Sequence, residues 1–196
     1  MQKNNWILPA VYLFLICLIT TGLVALTFSL TREARDLQEE ISANANRRLI
    51  VPQAVAFTEV QLDPGAAADG LIEAYRAIDE DGETIAWLLV AGTRGYGGQV
   101  PVMLAIDSDQ KISGIKVLNN DETPGLGKKA ADSSFIAQYL DQKVDRGFAL
   151  ADAGTNQVAI DAVVGATISS KAVNTAVTVA VDYYLEHLAE VPSHGS

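Results

Sequence analysis

Cysteine occurs once in the 196 residues, at Cys17. That excludes an internal disulfide, a CxxC pair and a thiolate set for an iron–sulfur cluster. Histidine occurs twice, at His187 and His194, near the C-terminus. A hydroxyl nucleophile needs a base to activate it, and no GxSxG elbow or triad supplies one. Basic residues number 14 against 24 acidic, and Lys3 is the only charge in residues 1–30. Setting Lys3 aside from the whole-chain net of −10 leaves residues 31–196 at −11, which argues against nucleic acid and against an anionic-lipid-binding patch. The acidic groups DEDGE (79–83) and DSD (107–109) fall on turn-like stretches and miss the calcium-loop pattern, so they read as solvated charge and no metal site is expected. Internal repeats and low-complexity segments are absent.

What is present begins with WILPAVYLFLICLITTGLVALTFSL, residues 6–30, uncharged throughout. About 20 apolar residues suffice to cross a bilayer. A secretory signal peptide would have a shorter apolar stretch and a small-x-small cleavage site, so residues 1–30 are expected to be a short N-terminus plus a lipid-embedded anchor. Pro9 suits a first helical turn, and Trp6 and Tyr12 could mark one interface. Cys17 reads as an apolar residue of the span, since Leu15 and Ile16 are too bulky for lipoprotein processing. Arg32 and Arg35 after the span, against Lys3 before it, favour a cytoplasmic domain by charge, but long domains translocate regardless of such a bias. Charge alone leaves the side open.

Residues 31–52 carry Leu37, Ile41 and strong helix formers, predicting a polar juxtamembrane helix and linker. A compact domain is expected over 53–190, with a loose tail at 191–196. It opens on a short strand-like run and a loop broken by Pro64, Gly65 and Gly70. LIEAYRAIDEDGETIAWLLVAG predicts two strands joined at Asp81-Gly82, and VPVMLAIDSDQKISGIKVL two more. Apolar positions 130, 135, 136, 139 and 140 predict a helix over 128–143. Residues 148–167 read as extended or irregular. Val173, Val177, Val181 and Leu185 predict a long amphipathic helix over 168–188. Hairpin strands with added helices make the fold α+β with a mostly antiparallel sheet.

Three glycine-rich stretches stand out: GYGG at 95–98, ETPGLG at 122–127 and VGAT at 164–167. None has Rossmann or P-loop spacing. Pro124-Gly125 suits the central positions of a type II turn. Thr167 lies where strand-like alternation gives way to helical period, as a cap or first-turn residue. The amides of Ile168, Ser169 and Ser170 would then be unpaired and attract a phosphate, with Gly165 and Ala166 small enough to admit it and Lys171 one turn on. An ordinary threonine cap fits the same residues.

A single N-terminal span, GYGG, a strand pair, ETPGLG with Phe135 after it, and a final DxxxGATxxSxAV over residues 161–173 together resemble the covalent FMN-binding domain of the Rnf and Na⁺-translocating NADH:quinone reductase complexes. The short chain is more similar to the G subunit of the Rnf complex than to the C subunit of the quinone reductase. The resemblance implies that Thr167 carries FMN through a phosphoester, attached by a separate flavin transferase. It further implies that Glu122, Thr123, Leu126 and Gly127 form a loop against the flavin ring, with Gly97 and Gly98 leaving room beside it. The implied role is electron transfer within an ion-translocating ferredoxin:NAD⁺ oxidoreductase. The implied partners are the other membrane subunits, and the domain would face outward from the inner membrane. One departure is Val164, where the family usually has Ser or Thr; Ser169 likewise stands where Thr is common. Two rival readings stand beside it: a component of a quinone reductase, and a flavin-free anchored scaffold. A hydrolase using Thr167 lacks a base.

Overall fold

The computed structural model describes residues 7–63, 65–150 and 157–189. Trp6, Lys3, Pro64, His194 and the tail lie outside them. The chain divides into two compact units, Met1–Ala45 and Asn46–Ser196. The first is the greater part of α1 (Ile7–Ile50), a single helix of 44 residues that is long and apolar enough to cross a membrane. Within it the hydroxyls of Thr20, Thr27 and Thr31 donate to the carbonyls of Ile16, Leu23 and Thr27 at 2.8, 2.9 and 2.9 Å. Lipid offers such groups no water, so this internal pairing suits a span. The expected juxtamembrane helix is the uninterrupted continuation of the span, because no helix breaker intervenes before Pro52 and the residue preceding a proline disfavours helical geometry.

The second unit is α+β, as expected. Five antiparallel strands lie in sequential order: β1 (Ala56–Glu59), β2 (Leu71–Ile78), β3 (Thr84–Arg94), β4 (Gln99–Asp107) and β5 (Ile112–Val117). Two more, β6 (Phe148–Leu150) and β7 (Val158–Ile160), form a short parallel pair. Central strands β3 and β4 are buried on both faces. Leu89 pairs with Leu104 and Ala91 with Val102 on one face, and Leu88 with Ala105 and Val90 with Met103 on the other. The first face lies in one core with Val173, Ala176, Val177 and Ala180 of α3 (Thr167–Tyr183). The second is covered by Val51 and Ala54, with Ile50 packed alongside. The compact unit therefore starts at Asn46, ahead of the expected start at 53.

The expected helix over 128–143 is instead a series of short turns: a 3-10 turn Gly127–Ala131, the single-turn α2 (Ser133–Ile136) and a second 3-10 turn Ala137–Tyr139. Asp132, with ψ 144°, interrupts the run, and Leu140, with ψ 142°, ends it. Asp and Ser favour caps and turns over helix interiors, which is where the apolar spacing misled. On α3, Val173, Val177 and Val181 are fully buried, but Leu185, in the π-helical turn Tyr184–Leu188 that continues it, is 37% exposed. Each four-residue step overshoots a turn by about 40°, so a strict four-residue stripe rotates off the core, and Leu188 is buried in its place.

Candidate functional site

Three loops separated in sequence meet around one carboxylate. Glu122 is buried. Its Oε1 accepts the Gly97 amide at 3.0 Å and its Oε2 accepts the Ser169 hydroxyl at 2.6 Å. Its own amide donates to Asn120 Oδ1 at 3.1 Å, and Asn120 Nδ2 donates to the Leu118 carbonyl at 2.9 Å, so the loop after β5 is fixed before it reaches the glutamate. The glycines fit this arrangement. A Cβ at Gly95 or Gly127 would collide with the Glu122 carboxylate, and one at Gly97 with the Asp121 carbonyl.

The Pro124-Gly125 turn has the expected form. Gly125 adopts φ +79°, which only glycine enters freely, and the Leu126 amide donates to the Thr123 carbonyl at 3.2 Å. The turn leaves Leu126 51% exposed. On the other side Gly165 takes φ +78° and the Ala166 amide donates to the Val163 carbonyl at 3.0 Å. Gln138 holds the approach to this turn: its Oε1 accepts the Asp161 amide at 2.8 Å and its Nε2 donates to the Asp161 carbonyl at 3.2 Å.

The start of α3 carries no side-chain cap. Ala166 occupies the cap position, and Thr167 is the first helical residue, with its side chain exposed. The amides of Thr167, Ile168 and Ser169 have no partner within the helix. That set is one residue earlier than expected, because the Ser170 amide donates to the Ala166 carbonyl at 2.9 Å. Ser170 is buried, and its hydroxyl accepts the Val163 amide at 3.0 Å.

An open cavity of about 500 Å³ lies between these elements, lined by Tyr96, Glu122, Thr123, Leu126, Gly127, Gly165, Ala166, Thr167, Ile168 and Ser169. Nine of the expected site residues thus line one cleft, while Gly97, Gly98, Ser170 and Lys171 do not. Gly97 acts behind the wall through Glu122, and Lys171 is exposed. Tyr96 was not singled out from sequence; an aromatic residue set among glycines between two strands was the available signal. Exposed Tyr96, Leu126, Val164 and Ile168 give the cleft and its surroundings an apolar character, while the uncapped helix start offers amides to an anion. This combination fits a flat aromatic group with a phosphate. His187 lies about 30 Å along the helix from Thr167, stacked on Tyr183 with ring centroids 4.4 Å apart and 3.3 Å from Asp63. It cannot serve as a base for Thr167.

Residues 95–182, from the first glycine of GYGG into the last turn of α3, match the sequence profile of the FMN-binding domain. The G subunit of the proton-translocating ferredoxin:NAD(+) oxidoreductase complex of Clostridium ljungdahlii is 31% identical over 166 residues, covering 85% of this chain and 84% of that protein. The G subunit of the ion-translocating oxidoreductase complex of Methanosarcina acetivorans is 30% identical over 178 residues, covering 88% and 91%. The crystal structure of the C subunit of the Na(+)-translocating NADH-quinone reductase from Parabacteroides distasonis superposes with a TM-score of 0.61 over 81% of this chain and 98% of that one. At 20% identity this last likeness speaks to the fold.

Proposed function

Because the chain belongs to the family of G subunits of ion-translocating oxidoreductase complexes and contains their FMN-binding domain, we propose that it is a membrane-anchored electron-transfer component of such a complex, with FMN esterified through its phosphate to Thr167. The observation that carries this reading is the exposed Thr167 hydroxyl at an uncapped helix start, opening on an apolar-walled cleft. The amides of Thr167, Ile168 and Ser169 would bind the phosphate. Leu126, Thr123 and Tyr96 would flank the ring, and Gly165 and Ala166 keep the approach clear. When bound, FMN supplies the one- and two-electron chemistry, and the protein fixes its position and surroundings. Among the described residues no histidine lies near Thr167, so forming the ester calls for a separate flavin transferase, which fits the exposure of the hydroxyl.

On the family resemblance, the reading puts the soluble domain on the extracytoplasmic side of the inner membrane, against the weak arginine bias after the span. A tether suits that side, where lost flavin is not readily replaced. The other membrane subunits of the complex are its partners, and the net acidity of the domain disfavours direct docking of acidic electron carriers. The quinone-reductase alternative rests on fold likeness at 20% identity, whereas the relatives from the ferredoxin-linked and ion-translocating complexes match in sequence over most of their length.

Co-expression with a flavin transferase, followed by intact-mass measurement and in-gel fluorescence after denaturation, tests the assignment. Wild type is expected to carry one FMN that survives denaturation, and Thr167→Val none. Absence of flavin from wild type, with a control substrate modified in the same cells, would favour the scaffold reading and mark Val164 as the disabling departure.

A further inference from the structure

We infer that Glu122 is a positioning residue whose buried negative charge, set in the wall of the cleft, biases whatever occupies that cleft against accepting electrons. The inference rests on the flavin reading above. Among the described residues Glu122 is the only buried carboxylate, and no cation pairs with it. The two basic residues that follow its loop, Lys128 and Lys129, are exposed to solvent, where water and salt screen them. Compensation comes from neutral donors, the Gly97 amide and the Ser169 hydroxyl, and from the positive end of α3, in whose first turn Ser169 lies.

Hydrogen bonds of this kind stabilise a carboxylate without cancelling its charge. The backbone at Gly95 and Gly127 closes against it so tightly that a Cβ at either position would collide with the carboxylate. A cofactor that gains electrons next to a fixed negative charge in a poorly solvated wall does so at a cost, by the same like-charge logic that separates the ionisations of neighbouring carboxylates. Glu122 therefore does two things with one group: it draws the three loops together, and it holds the site at a lower reduction potential than the loops alone would give.

The two roles separate by the sign of their effects. Glu122→Gln keeps the bonding, since the amide oxygen can accept from Gly97 and the amide nitrogen can donate to Ser169, but removes the charge. Ser169→Ala keeps the charge and removes a donor that stabilises it. In the full-length, flavin-loaded protein, spectroelectrochemical titration is expected to show Glu122→Gln moved to a more positive midpoint. At fixed potential its ratio of reduced to oxidised flavin should rise on the order of tenfold, the effect of one charge within about 10 Å at an effective dielectric near 20. Ser169→Ala is expected unmoved or more negative. The Glu122→Gln shift should persist between low and high salt, because a buried charge escapes screening.

An unmoved midpoint in Glu122→Gln, or shifts of the same sign in both variants, would overturn the inference and leave the flavin assignment standing. Loss of attached flavin from a folded Glu122→Gln would also overturn it, by giving Glu122 a role in attachment instead. If Glu122→Gln does not fold, Ser169→Ala decides alone: a positive shift refutes the charge argument, and a negative one supports it. Wild type without flavin removes both readings together.

Discussion

Gly97 and Gly98 are neighbours with the same side chain, and the sequence offers no reason to treat them differently. The structure does. A Cβ at Gly97 would overlap the Asp121 carbonyl, whereas one at Gly98 would meet its nearest atom, Asp121 Cβ, at an ordinary 3.9 Å. Gly97→Ala is expected to cost about 1–3 kcal/mol as an overpacking change and to disturb the Glu122 bond. Gly98→Ala should stay within about 1 kcal/mol of wild type. Urea denaturation of the two variants side by side checks this, and equal midpoints would contradict it. The contrast also marks what was hidden in the sequence at this scale. GYGG, ETPGLG and VGAT were legible as a candidate site, and residues of all three line one cleft, because each carries glycine where a chain must turn or approach closely. The agent that joins them, a buried Glu122 bonded across 25 and 47 positions of sequence, was legible only as a polar residue in a loop.

At the scale of elements, period decided what could be foreseen. β2 to β5 were legible because turn residues at Asp81-Gly82 and Ser108–Lys111 separate runs of strand-forming residues, and α3 because its apolar positions keep a helical spacing over several turns. The segment 128–143 had the same spacing over too short a length, and Asp132 with its two following serines broke it. One of those short turns nonetheless anchors α3. Tyr139, fully buried between Phe135 and Phe148, donates its hydroxyl to Asn174 Oδ1 at 3.1 Å. Burial pushes its phenol pKa above the ordinary value of 10.0. Burial, with Glu73 beside it, likewise pushes Tyr75 up, to about 12. Both groups are held neutral by the fold, so their contribution is fully present below the unfolded value and is lost as pH rises through the folded one. The domain should therefore lose stability as pH climbs from about 10 towards 12. Denaturant midpoints measured across that window should fall, and Tyr139→Phe, which has no phenol to ionise, should fall less steeply. A wild-type midpoint unchanged across the window would refute the linkage.

For the molecule as a whole, the question is where the part that folds by itself begins. Composition places the start after the polar stretch, near 53, because residues 31–52 read as linker. Packing places it at Asn46. Asn46 Oδ1 accepts from Lys116 Nζ at 2.8 Å, on β5. Arg47 is buried, with its guanidinium carbon 3.9 Å from the centre of the Tyr75 ring and hydrogen bonds to the Tyr75 hydroxyl and Glu73. Ile50 crosses β5 at Gly114, where any Cβ would strike it, and Val51 is buried in the second core. A chain cut at 53 therefore keeps Ala54 but loses Arg47, Ile50 and Val51 from the cover of that sheet face, thinning the protection of Tyr75, Leu88, Val90 and Met103. A chain starting at 46 keeps all three. The shorter piece is expected to be less stable by about 3 kcal/mol or more, the cost of uncovering two aliphatic side chains and the surface beneath them, and to associate through the exposed face. Urea midpoints and sedimentation of the two pieces test this, and equal stability would mean that residues 46–52 merely lie against the sheet. The distinction matters for function, because the same short stretch is the last turn of the helix that leads to the membrane.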